Sequence, residues 1–142
     1  MEGPQTSGSA RDVLEAHRQP AIMQSVEAMA RVYADDAVHE FPFTRPGLPS
    51  RLEGREQILR FNVAAWANPS LNYERYNTLA IHDTSDPNTI VVEQEAIGRD
   101  AQNHTFSLPN IVVLTVRDGQ ITNFRDYVNL VAVAEVLGRA PV

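Results

Sequence analysis

The sequence predicts an α+β domain in which a curved antiparallel sheet is wrapped by about three N-terminal helices and followed by a short C-terminal helix. Three observations predict it. Apolar residues in the first half recur at helical spacing, those in the second half alternate with a period of two, and the alternating runs are separated by short polar turns. Helices first and a strand meander after them place the helices over one face of the sheet.

Residues 1–10, rich in Gly, Ser, Pro and Gln, are expected to form a disordered leader before a single domain over residues 11–142. Val13, Leu14, Ala16 and His17 give a helix over Arg11–His17, which Pro20 is expected to break. Ile22, Met23, Val26, Met29, Ala30 and Tyr33 form one stripe of a second helix from Ala21 to Tyr33, ended by Asp35 and Asp36. Val38–Phe43 alternates as a short strand closed by the Pro46–Pro49 loop, and Arg55–Trp66 has the period of a third helix stopped by Asn68 and Pro69. Longer strands are expected over Leu71–His82, Thr89–Gly98, Thr105–Val116 and Gln120–Asn129. The last two are joined by the tight turn Arg117-Asp118-Gly119. Leu130–Leu137 reads as a short helix capped by Gly138.

Composition removes several function classes. A chain of 142 residues has the size of one domain, and no apolar run approaches the ~20 residues needed to cross a bilayer, so no membrane role is expected. The N-terminus lacks a basic segment followed by an apolar one, which points to the cytoplasm. There is no cysteine, hence no disulfide, thiolate metal site or cysteine nucleophile. The net charge of −6 disfavours nucleic acid as a partner; all 12 cations are arginines, so Schiff-base chemistry through lysine is excluded.

Cofactor signatures are missing as well. Gly3 and Gly8 have phosphate-loop spacing, but Ser9 stands where the lysine belongs and no strand precedes them. His17, His39, His82 and His104 are far apart and unpaired at helical spacing, so neither a metal nor any other cofactor is expected. Acid/base chemistry in an apolar pocket remains, and it needs an ionisable side chain whose pKa desolvation moves towards neutrality. In the strand Gln120–Asn129, Asp126 shares a face with Thr122, Phe124 and Val128, a costly placement unless the carboxylate is paired or functional. Pairing with a nearby arginine, or an outward-facing register, are the plain alternatives.

The runs Arg31–Phe43 and Leu52–Ile58 resemble the helix, strand and helix entry of SnoaL-like and ketosteroid isomerase-like proteins of the NTF2-like superfamily. The run Val116–Tyr127, followed by Leu137-Gly138, resembles their last hairpin and tail. Together these runs span about residues 11–139. The resemblance implies a cone-shaped sheet around one pocket, a small hydrophobic substrate and a homodimer joined through the outer face of the sheet. It also implies an activity within a broad set: polyketide cyclisation, isomerisation, epoxide hydrolysis, or binding alone. In the SnoaL-type cyclases the acid/base aspartate lies in an Arg-Asp-aromatic step, which Arg125-Asp126-Tyr127 matches. The ketosteroid isomerases carry their base in the first strand, where this chain has Phe41. Their tyrosine donor falls at His17. Their second donor, like the pocket histidine of the cyclases, falls near Val112.

The expected site therefore has Asp126 as general acid/base with His17 or His39 as hydrogen-bond donor. His39 shares strand parity with Phe41 and Phe43, and the alternative for it is a half-exposed strand position. Glu93 either pairs with Asp126 inside the pocket or belongs to an outward acidic face with Glu95. Phe41, Phe43, Phe61, Trp66, Val112, Leu114 and Phe124 are expected to line an apolar cavity for a flat or polycyclic oxygenated ligand, the plain alternative, expected for half of them, being that they are simply core.

Overall fold

The structure is a computed structural model that describes residues 8–138; the first seven residues of the expected leader lie outside them. Ser9 and Ala10, also expected in the leader, belong to the fold. Ser9 caps α1 (Ala10–Met23), its Oγ accepting from the Asp12 N–H at 3.1 Å, and Ala10 is buried. Contrary to expectation, α1 runs through Pro20, because proline deletes one helical hydrogen bond and need not end the helix. It closes a turn later, where Gln24 turns left-handed (φ 56°) and both Gln24 and Ser25 donate to the Pro20 carbonyl. Ser25 then caps the short α2 (Val26–Val32), so the stripe read as one helix is split between two.

The first strand, β1 (Tyr33–Glu40), begins five residues earlier than Val38 and ends before Phe41. Asp35 and Asp36, read as helix terminators, are strand residues facing solvent, ion-paired to Arg55 and Arg117 respectively. β2 (Arg51–Glu53), unforeseen, pairs antiparallel with β1. Gly54, at φ 89°, donates to the Ala37 carbonyl and launches α3 (Arg55–Trp66), whose Ile58 is fully buried. β3 (Asn72–Asp83), β4 (Thr89–Arg99), β5 (Thr105–Arg117), β6 (Gln120–Val128) and α4 (Leu130–Val136) follow within a residue or two of their expected positions.

The six strands form one sheet in the order β2-β1-β6-β5-β4-β3. Every pairing is antiparallel except β1 with β6, which is parallel and sets His39 opposite Phe124. The sheet is therefore a mostly antiparallel cone with helices inside its curve. Ile90, Val92, Gln94, Ala96 and Gly98 alternate inward on β4, and Val112, Leu114 and Val116 on β5, forming the core with Val13 and Leu14 of α1. In β6 the pleat slips at Thr122: the register skips one residue between Ile121 and Asn123, so Ile121 and Phe124 both turn inward.

Gly98 sits where β3 and β4 pinch together, and a Cβ there would overlap the backbone carbonyl of Asn72. The neighbouring register shift between Tyr73 and Arg75 bends β3 at the same point. Gly98→Ala is expected to lower unfolding free energy by about 2 kcal/mol, since backbone has to move to admit the methyl group. Urea unfolding checks it, and an unchanged midpoint would show the pinch to be slack.

Candidate active site

Between α1, α3 and the concave face of the sheet lies a cavity of about 180 Å³. Its walls are mainly rings: Phe41 from the end of β1, Phe61 and Trp66 from α3, Tyr73 and Tyr76 from β3, and Phe124 from β6. Polar side chains interrupt them: Gln94, Asn110 and Asp126 on the sheet, Asn62 on α3 and Asn129 just after β6. His17 and His39 complete the lining from α1 and β1.

Asp126 faces inward with Phe124 and Val128, as the strand parity requires. Among the described residues it has no cationic partner. Arg125, its neighbour, is on the other face and donates to the Tyr127 hydroxyl at 2.6 Å. The buried Arg18 donates to Glu15 at 3.0 Å and to Gln94 at 2.7 Å, and lies over the Tyr76 ring. Asp126 Oδ1 accepts one hydrogen bond, from Asn110 Nδ2 at 2.8 Å. Burial pushes its carboxyl up to about 6, against the pull of that bond in the other direction.

The two histidines meet at Tyr33, which is fully buried: its hydroxyl is 3.2 Å from His17 Nε2 and 3.5 Å from His39 Nδ1. Burial, aided by Arg18, lowers His17 to about 4; burial, aided by His17, lowers His39 to about 3. Both are neutral imidazoles at physiological pH. Burial and the Asp126 charge raise Tyr73 to about 12, and Tyr33 and Tyr76 are pushed higher still, mainly by burial. The phenols of the site therefore stay protonated.

Of the expected residues, the structure gathers Asp126, His17, His39, Phe41, Phe61, Trp66 and Phe124 around the cavity. Four are elsewhere. Phe43 is 60% exposed, because the chain leaves the strand at Pro42, and it packs edge-on against Tyr127 on the outside. Glu93 points outward on β4, bonded to His82 Nε2 at 2.6 Å, so it forms no pair with Asp126. Val112 and Leu114 face inward but are sealed in the core, away from the cavity. Tyr33, Asn62, Tyr73, Tyr76, Gln94 and Asn110 are site residues that sequence reading missed. No local signal joined Asn110 to Asp126: the register sets Asn110 opposite Val128 and Asp126 opposite Val112, so their hydrogen bond runs diagonally across the pair. Among the described residues no cluster of three metal-ligating side chains occurs, and no helix is long and apolar enough to cross a membrane.

A SnoaL-like domain matches residues 15–124. The chain belongs to this SnoaL-like family. The matched stretch includes His17 and His39 and ends two residues before Asp126. An uncharacterised PhzA/B-like protein of Pseudomonas aeruginosa is 32% identical over 112 residues, covering 75% of this chain and 74% of its own. A Bacillus subtilis structure provisionally described as an isomerase superposes with a TM-score of 0.85 over 98% of both chains, at 22% identity. A Catenulispora acidiphila protein with a ketosteroid isomerase-like fold, solved with trimethylamine, gives a TM-score of 0.73 over 94% of this chain and 97% of its own, at 18% identity. At these identities the two structures establish a shared fold.

The raised carboxyl has a consequence for stability. An aspartate whose folded pKa is about 6, against an unfolded value of 3.8, favours the folded state when protonated. That contribution is full below 3.8 and is lost as pH rises through 6. Asp126→Asn is therefore expected to stabilise the protein at pH 8, by roughly 3 kcal/mol relative to its effect at pH 3. Denaturant unfolding of both proteins at the two pH values measures it; a pH-independent difference would mean that Asp126 is solvated.

Proposed function

We propose that the protein is a cofactor-independent enzyme that moves a proton within a small hydrophobic carbonyl compound. One observation carries this reading: a single carboxylate, its pKa about 6, stands in a ring-lined cavity beside neutral hydrogen-bond donors. A general base is most effective when its pKa lies near the working pH. Asp126 would take a proton from the carbon beside the carbonyl, leaving an enolate whose oxygen His17 or His39 steadies. It would then return the same proton to the far carbon of the shifted double bond.

Isomerisation fits better than its relatives. Epoxide hydrolysis calls for one group to activate water and another to protonate the leaving oxygen, and with Glu93 outside, Asp126 is the one carboxylate among the lining residues. Polyketide cyclisation uses the same acid/base logic on a larger substrate, whereas drug-sized ligands occupy roughly 300–1,000 Å³ and this cavity holds about 180 Å³. The flat or polycyclic ligand inferred from sequence gives way to a smaller one. Within this reading the enzyme acts in the cytoplasm on an intermediate of secondary metabolism. It works as a homodimer joined through the outer sheet face that exposes Ile111.

A second reading, a non-catalytic binding module, is favoured by the same rings around an unpaired carboxylate, a chemistry that holds small ammonium ions. The Catenulispora relative was solved with trimethylamine. Conversion of cyclohex-3-enone to cyclohex-2-enone, followed by ultraviolet absorbance, separates the two. Wild type is expected to accelerate it with kcat/KM rising through pH 6 as Asp126 ionises. The histidines, at about 4 and 3, add no second limb above pH 5. Asp126→Asn is expected to cost about 10²–10⁴-fold. Equal rates in wild type and variant, with trimethylamine bound by wild type alone, would favour the module.

A further inference from the structure

Resting on the reading of the cavity as a proton-transfer site, we infer that His39, held by Tyr33 as its Nε2–H tautomer, donates to the carbonyl oxygen of a neutral single-ring substrate. Tyr33 is then a positioning residue. His17, whose Nε2 is already engaged, is the outer member of the chain.

His39 is 6% exposed, and its Nε2 is buried with no partner in the protein. Leaving such an atom unpaired is unfavourable, and the ring that carries it lines the cavity. The ring is fixed in place. It stacks on Phe124 at 4.6 Å and 22°, and meets Phe41, just past the end of β1, at 4.8 Å. An imidazole clamped this way presents Nε2 in one direction, so its usefulness depends on which nitrogen bears the proton.

Tyr33 decides that. Its hydroxyl has one proton and two histidine neighbours, so the chain has two polarities. In one, His17 Nε2–H donates to the Tyr33 oxygen, Tyr33 donates to His39 Nδ1, and the His39 proton sits on Nε2, towards the cavity. In the other every bond is reversed and His39 offers the cavity a lone pair. Asp126 lies on the same wall, two residues along β6 from Phe124, the strand partner of His39. A carboxylate without a cation attracts N–H dipoles and repels lone pairs, which selects the first polarity.

The same inventory defines the ligand. The cavity of about 180 Å³ is a little larger than the ~150 Å³ engineered cavity that holds benzene in another protein, so one ring with its substituents fits. Asp126 is unopposed by any cation on the wall, Arg18 being committed to Glu15 and Gln94, so a carboxylate or phosphate ligand meets repulsion. Neutral carbonyl compounds, with one acceptor for Nε2–H, satisfy both conditions.

Two measurements on the full chain test this. Nitrogen-15 NMR of the histidine side chains is expected to show His39 protonated at Nε2 in wild type and a mixture of tautomers in Tyr33→Phe; protonation at Nδ1 in wild type overturns the inference. Infrared spectroscopy of bound cyclohex-2-enone is expected to show a lowered carbonyl frequency in wild type. The shift is expected to diminish in Tyr33→Phe, disappear in His39→Phe with about tenfold weaker binding, and return in part in His39→Gln, whose amide can donate. An unshifted or unbound probe in wild type, or a shift indifferent to His39, overturns it too. The shift is expected to shrink but persist in Asp126→Asn, because that variant removes the charge that favours the first polarity along with the base, and leaves the His39 ring and Tyr33 in place. Loss of turnover in Asp126→Asn with a shift that ignores His39 would defeat this inference and spare the acid/base reading; the converse result would do the opposite.

Discussion

The pairing of β1 with β6 is the constraint on which the site depends. These strands are the one parallel pair in the sheet, and they bring together residues from opposite ends of the chain, with His39 beside Phe124 and Glu40 beside Arg125. A parallel neighbour cannot be reached by a tight turn. The chain therefore passes through β2, α3 and the whole β3–β5 meander before β6 can return to β1. Only then do His39, Phe124 and Asp126 share one wall. This wall is a non-local product of the fold, assembled when its last strand docks.

Around that wall the protein tolerates polar groups that a stability-driven core would replace. Asp126 has its carboxyl pushed up by burial to about 6 and no cation beside it among the described residues, and His39 Nε2, Asn62 Nδ2 and Asn110 Oδ1 are buried without partners. Each is unfavourable in isolation. These three side chains and Asp126 line one cavity, and the buried Arg18, whose Nε is likewise unpartnered, lies outside its lining; the remaining core is Val, Leu, Ile, Ala, Met and aromatic packing.

Much of this was legible in the sequence, and the misses have physical causes. The four long strands and α3 were readable because period-two and period-3.6 patterns are local, and Asp126 followed from strand parity near a recognisable turn. The break at Gln24 was not legible: Pro20 is the stronger signal of chain interruption, yet left-handed Gln24 and the Ser25 cap end the helix. The beginning of β1 was hidden because Asp35 and Asp36 look like helix stops until the arginines that pair with them are in place. Phe43 shared a parity with Phe41 that Pro42 cut short. Glu93 was undecidable, since alternation gives two faces and only the sheet's curvature says which is concave. Tyr33 was visible as the end of a helical stripe, and nothing local showed that it links two histidines 22 residues apart.

Arg18 has a consequence beyond its own bonds. It is the buried cation nearest the cavity, and its guanidinium is already shared between Glu15, Gln94 and the face of Tyr76. Among the described residues the interior holds no second buried arginine with which to retain an anion once one has formed. Negative charge can reside on Asp126 or, briefly, on a ligand oxygen, but it cannot be stored on both. A bound enolate would have to reclaim its proton before leaving, so departure of the ligand and restoration of the carboxylate become a single event. The fold keeps accounts by having room for one negative charge at a time.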